Sequence, residues 1–301
     1  MSQVYDCFAS YVAKSKGAIS SADHLKKISE LSASARRLFL ADEGDPDRAM
    51  VAGARMRAFD LWAALPVILQ LLTDPTRDPA DVTKSAVWLE SYLVRRMICG
   101  LGSVQRGLFF PDLMITAAGT LKASDAIAAK LIADRSDSFR WPDDDEFANA
   151  WRTSPLYRTL RPSRLAMILR ALERSLRDPE LTDPIQVPKT LHVEHIMPQR
   201  WDQWWPLPTG EKREMEAHRN KVIHTIGNLT LLKQKLNETL SNGPWNTGDS
   251  DCKRSALRQH GLLKLNAMLP DHGSSNETTI LDRSNHLMVH ALRIWPRPDR
   301  A

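Results

Sequence analysis

Two short runs in the second half of this chain constrain it most: His192-Val193-Glu194-His195-Ile196-Met197-Pro198 and Ile226-Gly227-Asn228-Leu229-Thr230-Leu231-Leu232. The first alternates apolar and polar residues and stops at a proline, which predicts a short strand running into a loop. Neighbouring side chains on a strand face opposite ways, so Glu194 and His195 can share a site only where the strand ends or bulges. The second run reads as a β-branched and leucine strand with Gly-Asn at its start. It passes into Lys233-Gln234-Lys235-Leu236-Asn237-Glu238, mostly good helix formers. The predicted order is strand, long loop, strand, helix.

A carboxylate and an imidazole on the first strand and an amide on the helix suit metal-assisted phosphodiester hydrolysis. Mg²⁺ prefers oxygen ligands, and the Glu194 carboxylate and Asn237 carbonyl would supply two, with water and phosphate completing the shell. Mn²⁺ is the alternative ion. His195 is the natural general base, because an imidazole titrates near neutrality. A bound ion would stabilise charge on the scissile phosphate and the leaving oxygen.

These residues resemble the HNH, or ββα-metal, nuclease motif. In that motif an acidic residue and His precede hydrophobic-x-Pro, a middle Asn opens the second strand, and a final Asn or His follows nine positions later. Glu194-His195, Asn228 and Asn237 fill those slots. Glu-His-Ile-Met-Pro-Gln with Ile-Gly-Asn-Leu-Thr-Leu-Leu resembles more closely the C-terminal domain of GmrSD-type restriction endonucleases and the related phosphorothioate-sensing Ssp nucleases. Glu90 to Gly100 and Leu169 to Leu176 resemble the middle region of the same family. The resemblance implies that Asn228 belongs to the catalytic set without touching metal, holding the loop between the strands and orienting His195. It also implies a basic phosphate contact at Lys253, and products with 5′-phosphate and 3′-hydroxyl ends. Glu194 stands where Asp is commoner in the wider superfamily, and Asn237 where His is. His192 would share a strand face with Glu194 and assist substrate binding. His218 and His224 have no spacing argument and read as core or surface residues.

The totals agree with a soluble globular protein, at 43% hydrophobic and 26% charged residues with a net charge of +5. That charge and a pI near 9.1 are compatible with a polyanionic partner. No apolar run approaches the roughly 20 residues of a membrane span. The first residues lack the pattern of a secretory signal, and Cys7, Cys99 and Cys252 are far apart with no Cys-x-x-Cys, so a reducing cytoplasm is expected.

Residues 1 to about 180 read as helices. Ser21 to His24 opens one with cap-type residues, and Leu25, Ile28, Leu31 and Leu38 form its apolar stripe. Gly44 to Asp47 is a break. Phe59 to Leu72 predicts a buried helix kinked at Pro66. Asp74 to Pro79 is a turn before a helix to Ile98. Arg95-Arg96 reads as a helix-end pair in preference to a phosphate contact, and Asp143 to Glu146 as a capping device. Arg158, Arg161, Arg164, Arg170, Arg174 and Arg177 form a basic ribbon, either a solvated face or a DNA-backbone contact. Pro184 to Pro188 is an extended linker. Trp201, Trp204 and Trp205 either stack on bases or pin their loop to the core. Glu211 to Val222, Lys253 to about Leu269 and Glu277 to Trp295 complete the helices.

The expected architecture is a mostly α N-terminal helical domain, residues 1–183, followed by an α+β HNH nuclease domain, residues 184–301. The expected activity is divalent-metal-dependent cleavage or nicking of DNA, in anti-phage restriction of modified DNA. The alternative is a catalytically inactive HNH-fold module that binds DNA or a partner in a restriction complex. Longer members of the family carry a nucleotide-dependent domain with a Gly-Gln-Gln-Arg-like signature. Neither that signature nor a phosphate-binding Gly-x-x-x-x-Gly-Lys-Ser/Thr loop occurs here, so the expected partners are DNA and a separate nucleotide-dependent subunit or domain. A zinc protease is excluded, since His192-x-Glu194-His195 fits neither His-Glu-x-x-His nor His-x-x-Glu-His.

Overall fold

The computed structural model describes residues 20–102, 107–177, 187–188, 190–203, 205–207, 210–233, 254–255, 257, 263–268 and 276–298. The described chain is mostly helical, with one two-stranded sheet. Its first half carries α1 (Ser21–Leu40), α2 (Arg48–Ala58), α3 (Leu65–Leu72), α4 (Pro79–Ile98), α5 (Phe109–Ala118) and α6 (Ala123–Ala133).

Local chemistry sets the ends of these helices. Ser20 caps α1, accepting from the Asp23 N–H at 3.1 Å while the Asp23 carboxylate reaches back, a reciprocal capping box. Asp47 and Asp78 cap α2 and α4. The run from Phe59 to Leu72 departs from the kinked helix expected of it. A 3₁₀ turn at Trp62–Ala64 comes first, and Pro66 lies in the opening turn of α3. A proline there lacks only an N–H that would find no partner in the helix anyway, so it starts α3 without bending it.

Next come α7 (Asp144–Thr153), α8 (Leu156–Thr159) and α9 (Pro162–Ser175), then β1 (His192–His195), α10 (Lys212–Val222), β2 (Leu229–Leu232), α11 (Lys264–Ala267) and α12 (Glu277–Ile294). Asp143 caps α7 through the Glu146 N–H at 2.9 Å, as the acidic run there predicts. The strands β1 and β2 are antiparallel, pairing His192 with Leu232, Val193 with Leu231, Glu194 with Thr230 and His195 with Leu229. The helix expected after β2, from Lys233, lies outside the described residues beyond its first position. The turn at 240–245 and about half of the helix expected from Lys253 also lie outside them.

Apolar burial is organised in three clusters. One joins α1 to α6 around Met50, Met56, Leu65, Ile68, Leu89 and Tyr92. A second takes Val94 and Ile98 of α4, Phe147 and Trp151 of α7, the apolar face of α9, both strands, and Leu287 and Trp295 at α12. Residues on both sides of position 183 therefore share one core. Trp151 and Trp295 are fully buried with ring centroids 6.3 Å apart, and truncating either would cost about 3–5 kcal/mol. The third cluster packs Ile196, Met197, Trp201 and Trp205 against Ile223, Leu232 and Ile280. Trp201 and Trp205 thus pin their loop to the core; Trp204 lies outside the described residues.

Buried charges bind these parts together. Glu90 of α4 is fully buried, 2.7 Å from Arg48 and 3.2 Å from Arg55, and accepts from the Trp295 indole at 2.9 Å. Burial alone would raise its carboxyl, but the two guanidiniums outweigh that and hold it below the usual carboxylate range. Arg95 donates to the Trp295 carbonyl at 2.8 Å and pairs with Asp144, and Arg96 donates to the carbonyls of Ser138 and Arg140. Both are tied down inside the fold, as the structural reading of that pair expects. The arginine ribbon resolves differently. Asp60 takes Arg161 and Arg164, Glu43 takes Arg170 and Arg174, and Glu173 takes Arg177.

Candidate functional site

Asn228 is the hinge of the site. It ends the 3₁₀ turn Ile226–Asn228 that opens into β2, and it is fully buried. Its side chain accepts from the Met197 N–H at 2.8 Å and donates to the carbonyls of Met197 at 2.9 Å and Ile223 at 2.8 Å. Its own carbonyl accepts from the Ile196 N–H at 2.8 Å. One amide thus grips the chain on both sides of the turn as it leaves β1. The strand stops at His195, which is the condition the sequence sets for Glu194 and His195 to serve one site.

Behind this turn stands α12. A Cβ at position 227 would overlap the Ile280 carbonyl oxygen, so only glycine lets the turn lie against that helix. Arg283 of α12 is 6% exposed and donates to the carbonyls of Gly227 at 2.8 Å, Leu229 at 2.9 Å and Leu265 at 3.2 Å. Burial draws its guanidinium down to about 10, which still leaves it charged at neutral pH. It supplies cationic donors to three backbone carbonyls drawn from the turn, β2 and α11.

His195 is 3% exposed, less open than a water-activating base would suggest from sequence. Its Nε2 lies 3.3 Å from Nδ1 of His224, which is 1% exposed, and the two rings meet edge to face. Such a bond needs one N–H and one lone pair, so the two imidazoles fix each other's tautomers. Tyr157 of α8 completes the nest, its ring 4.2 Å from that of His195 and its N–H donating to the His224 carbonyl at 3.1 Å. Burial, and then the nearby charge of Arg158, hold His224 below the ordinary histidine range.

Glu194 is half-buried, opposite Thr230 in the register. Thr230 is fully buried and donates to Oδ1 of Asn266, whose amide reaches the Leu231 carbonyl at 3.5 Å. Asn266 sits in α11, whose first N–H groups at Lys264 and Leu265 are both held at 2.9 Å by the buried Glu173 of α9. A half-buried carboxylate on such a braced strand suits a hard cation. Among the described residues no three or more His, Cys, Asp or Glu side chains cluster as a metal site. His192 is exposed and shares a strand face with Glu194. Asn237 and Lys253 lie outside the described residues.

The family comparison bears on the second half of the chain. Residues 141–289 match the family model of the GmrSD restriction endonucleases, C-terminal domain. This segment is similar to the GmrSD-type C-terminal domain. The matched span takes in α7 to α9 and both strands, so it contains Tyr157, Glu194, His195, His224 and Asn228. No curated protein and no solved structure matches the chain. The likeness is to a restriction-type nuclease domain. No helix among the described residues is long and apolar enough to cross a membrane.

Several site residues escaped the sequence. His224 carried the best signal, four positions before Asn228 in the same turn, but nothing local pairs it with His195, 29 residues away. Tyr157, Asn266 and Arg283 carried none, because their roles arise where distant elements meet.

Proposed function

We propose that the GmrSD-type domain is a divalent-metal-dependent HNH endonuclease, hydrolysing phosphodiester bonds of DNA in the cytoplasm during restriction of modified phage DNA. What carries the reading is the Glu194-His195 pair at the end of β1, locked by Asn228 beside a buried imidazole partner, in a segment matching a restriction-endonuclease family. Glu194, with Asn237, would hold the ion, Mg²⁺ or Mn²⁺. When bound, that ion stabilises negative charge on the phosphate and leaving oxygen.

The chain's own groups do the rest. In the tautomer in which His195 donates from Nε2 to His224, the lone pair lies on His195 Nδ1, which takes the proton of the attacking water. Asn228 fixes the backbone that carries the ring. Tyr157 and the burial of both imidazoles limit ring rotation, so the base is oriented before substrate arrives. A nucleotide-dependent subunit or domain would select the target.

The test is cleavage of supercoiled plasmid by the full chain with Mg²⁺ or Mn²⁺, beside His195→Ala. Nicked or linear product from the parent protein alone is expected; equal activity in both proteins sinks the assignment. The second reading, a module that binds DNA without cutting it, draws on the burial of His195. DNA retention by a parent protein that cuts nothing would select it.

A further inference from the structure

Six arginines lie between Arg158 in α8 and Arg177 just past α9, and five have a carboxylate partner within the fold. Arg158 makes no ion pair among the described residues, and it is exposed. Its position is unlike the others. It follows Tyr157 directly, on the single turn of α8 whose backbone is bonded to His224 and whose tyrosine ring touches His195. Its charge also reaches His224, where it adds to burial in holding that imidazole below the ordinary histidine range.

We infer that Arg158 is a DNA-phosphate contact of the nuclease site, holding the backbone of the cleaved strand beside His195 while the other arginines of the ribbon serve the fold. The inference rests on the endonuclease reading above and assigns the substrate-binding side of the same site. An arginine suits this task, because its planar fork of N–H donors matches two phosphate oxygens and stays charged at every working pH.

Equilibrium binding of a fluorescent duplex oligonucleotide to the full chain in EDTA, measured across a salt series, tests it. Arg158→Gln is expected to weaken binding roughly tenfold at low salt and to lower the slope of log affinity against log salt by about 1. Arg158→Lys should keep the salt slope and lose part of the affinity. Arg161→Gln, whose parent side chain is occupied by Asp60, should bind like the parent. Thermal melting separates these effects from misfolding, since Arg158 is exposed and should leave the midpoint unchanged. Parental affinity and slope in Arg158→Gln would overturn the arginine assignment, and cleavage by the parent would show the endonuclease reading still standing. A parent chain that neither binds nor cuts DNA would overturn both.

Discussion

The side chains of His195 and His224 meet nitrogen to nitrogen at 3.3 Å, although 29 residues separate them in the chain. The contact ties the end of β1 to the turn that opens β2, and so joins two separate sequence runs through one pair of side chains. His224→Ala should lower kcat for plasmid nicking by about 10²-fold, the order expected when a reacting group loses its orientation. His224→Gln, which can still bond to Nε2, should recover much of that loss. Identical rates for the two variants would remove His224 from the mechanism.

His195 and Glu194 are separable by metal dependence. His195→Ala should cost roughly 10²–10⁴-fold at every metal concentration, the range for a lost general base. Glu194→Gln should instead raise the Mg²⁺ concentration needed for half-maximal cleavage, and EDTA should abolish cleavage by the parent. A Glu194→Gln protein with an unchanged metal titration would show that the carboxylate holds no ion.

Asn228 should register as stability before activity. Its amide makes three buried bonds, and Asn228→Ala leaves the Met197 N–H and two carbonyls unmatched. At about 1–3 kcal/mol for a buried group left unpaired, a loss of roughly 3 kcal/mol or more is expected in urea unfolding. Asn228→Asp should do no better, since it sets a carboxylate against the carbonyls of Met197 and Ile223.

Glu90 and His224 predict acid sensitivity from opposite kinds of group. The folded carboxyl of Glu90 sits below its ordinary value of 4.5, so its contribution is present above that pH and is lost as pH falls through the folded value. His224 is held below 6.5, so its neutral form contributes fully above that pH, and stability declines below it as the unfolded chain takes up the proton first. Urea midpoints measured from pH 8 to pH 4 should therefore fall in two stages. Replacing His224 with Gln should flatten the upper stage, below pH 6.5, and leave the lower one.

The local parts of this structure were legible in residue order. The capping devices at Asp23 and Asp143, the strand ending at His195 and the glycine before Asn228 all follow from neighbours within a few positions. Pro66 misled because a proline inside an apolar run says the regular helix is interrupted, and position alone does not distinguish a kink from a start. The arginine ribbon misled in the other way. Its spacing suggested one surface, whereas Asp60 and Glu43 lie more than a hundred residues before the arginines they hold. Glu90 with Trp295, and Arg283 with Gly227, are likewise relationships between distant segments, and no periodicity records them.

The close approach of Gly227 to the Ile280 carbonyl makes the long terminal helix the anvil on which the turn before β2 is shaped. Substitutions near Ile280 and Arg283, remote in the chain from Glu194 and His195, should therefore appear in genetic screens as loss-of-cleavage alleles. Their defect would be a displaced scaffold with every chemical group still present.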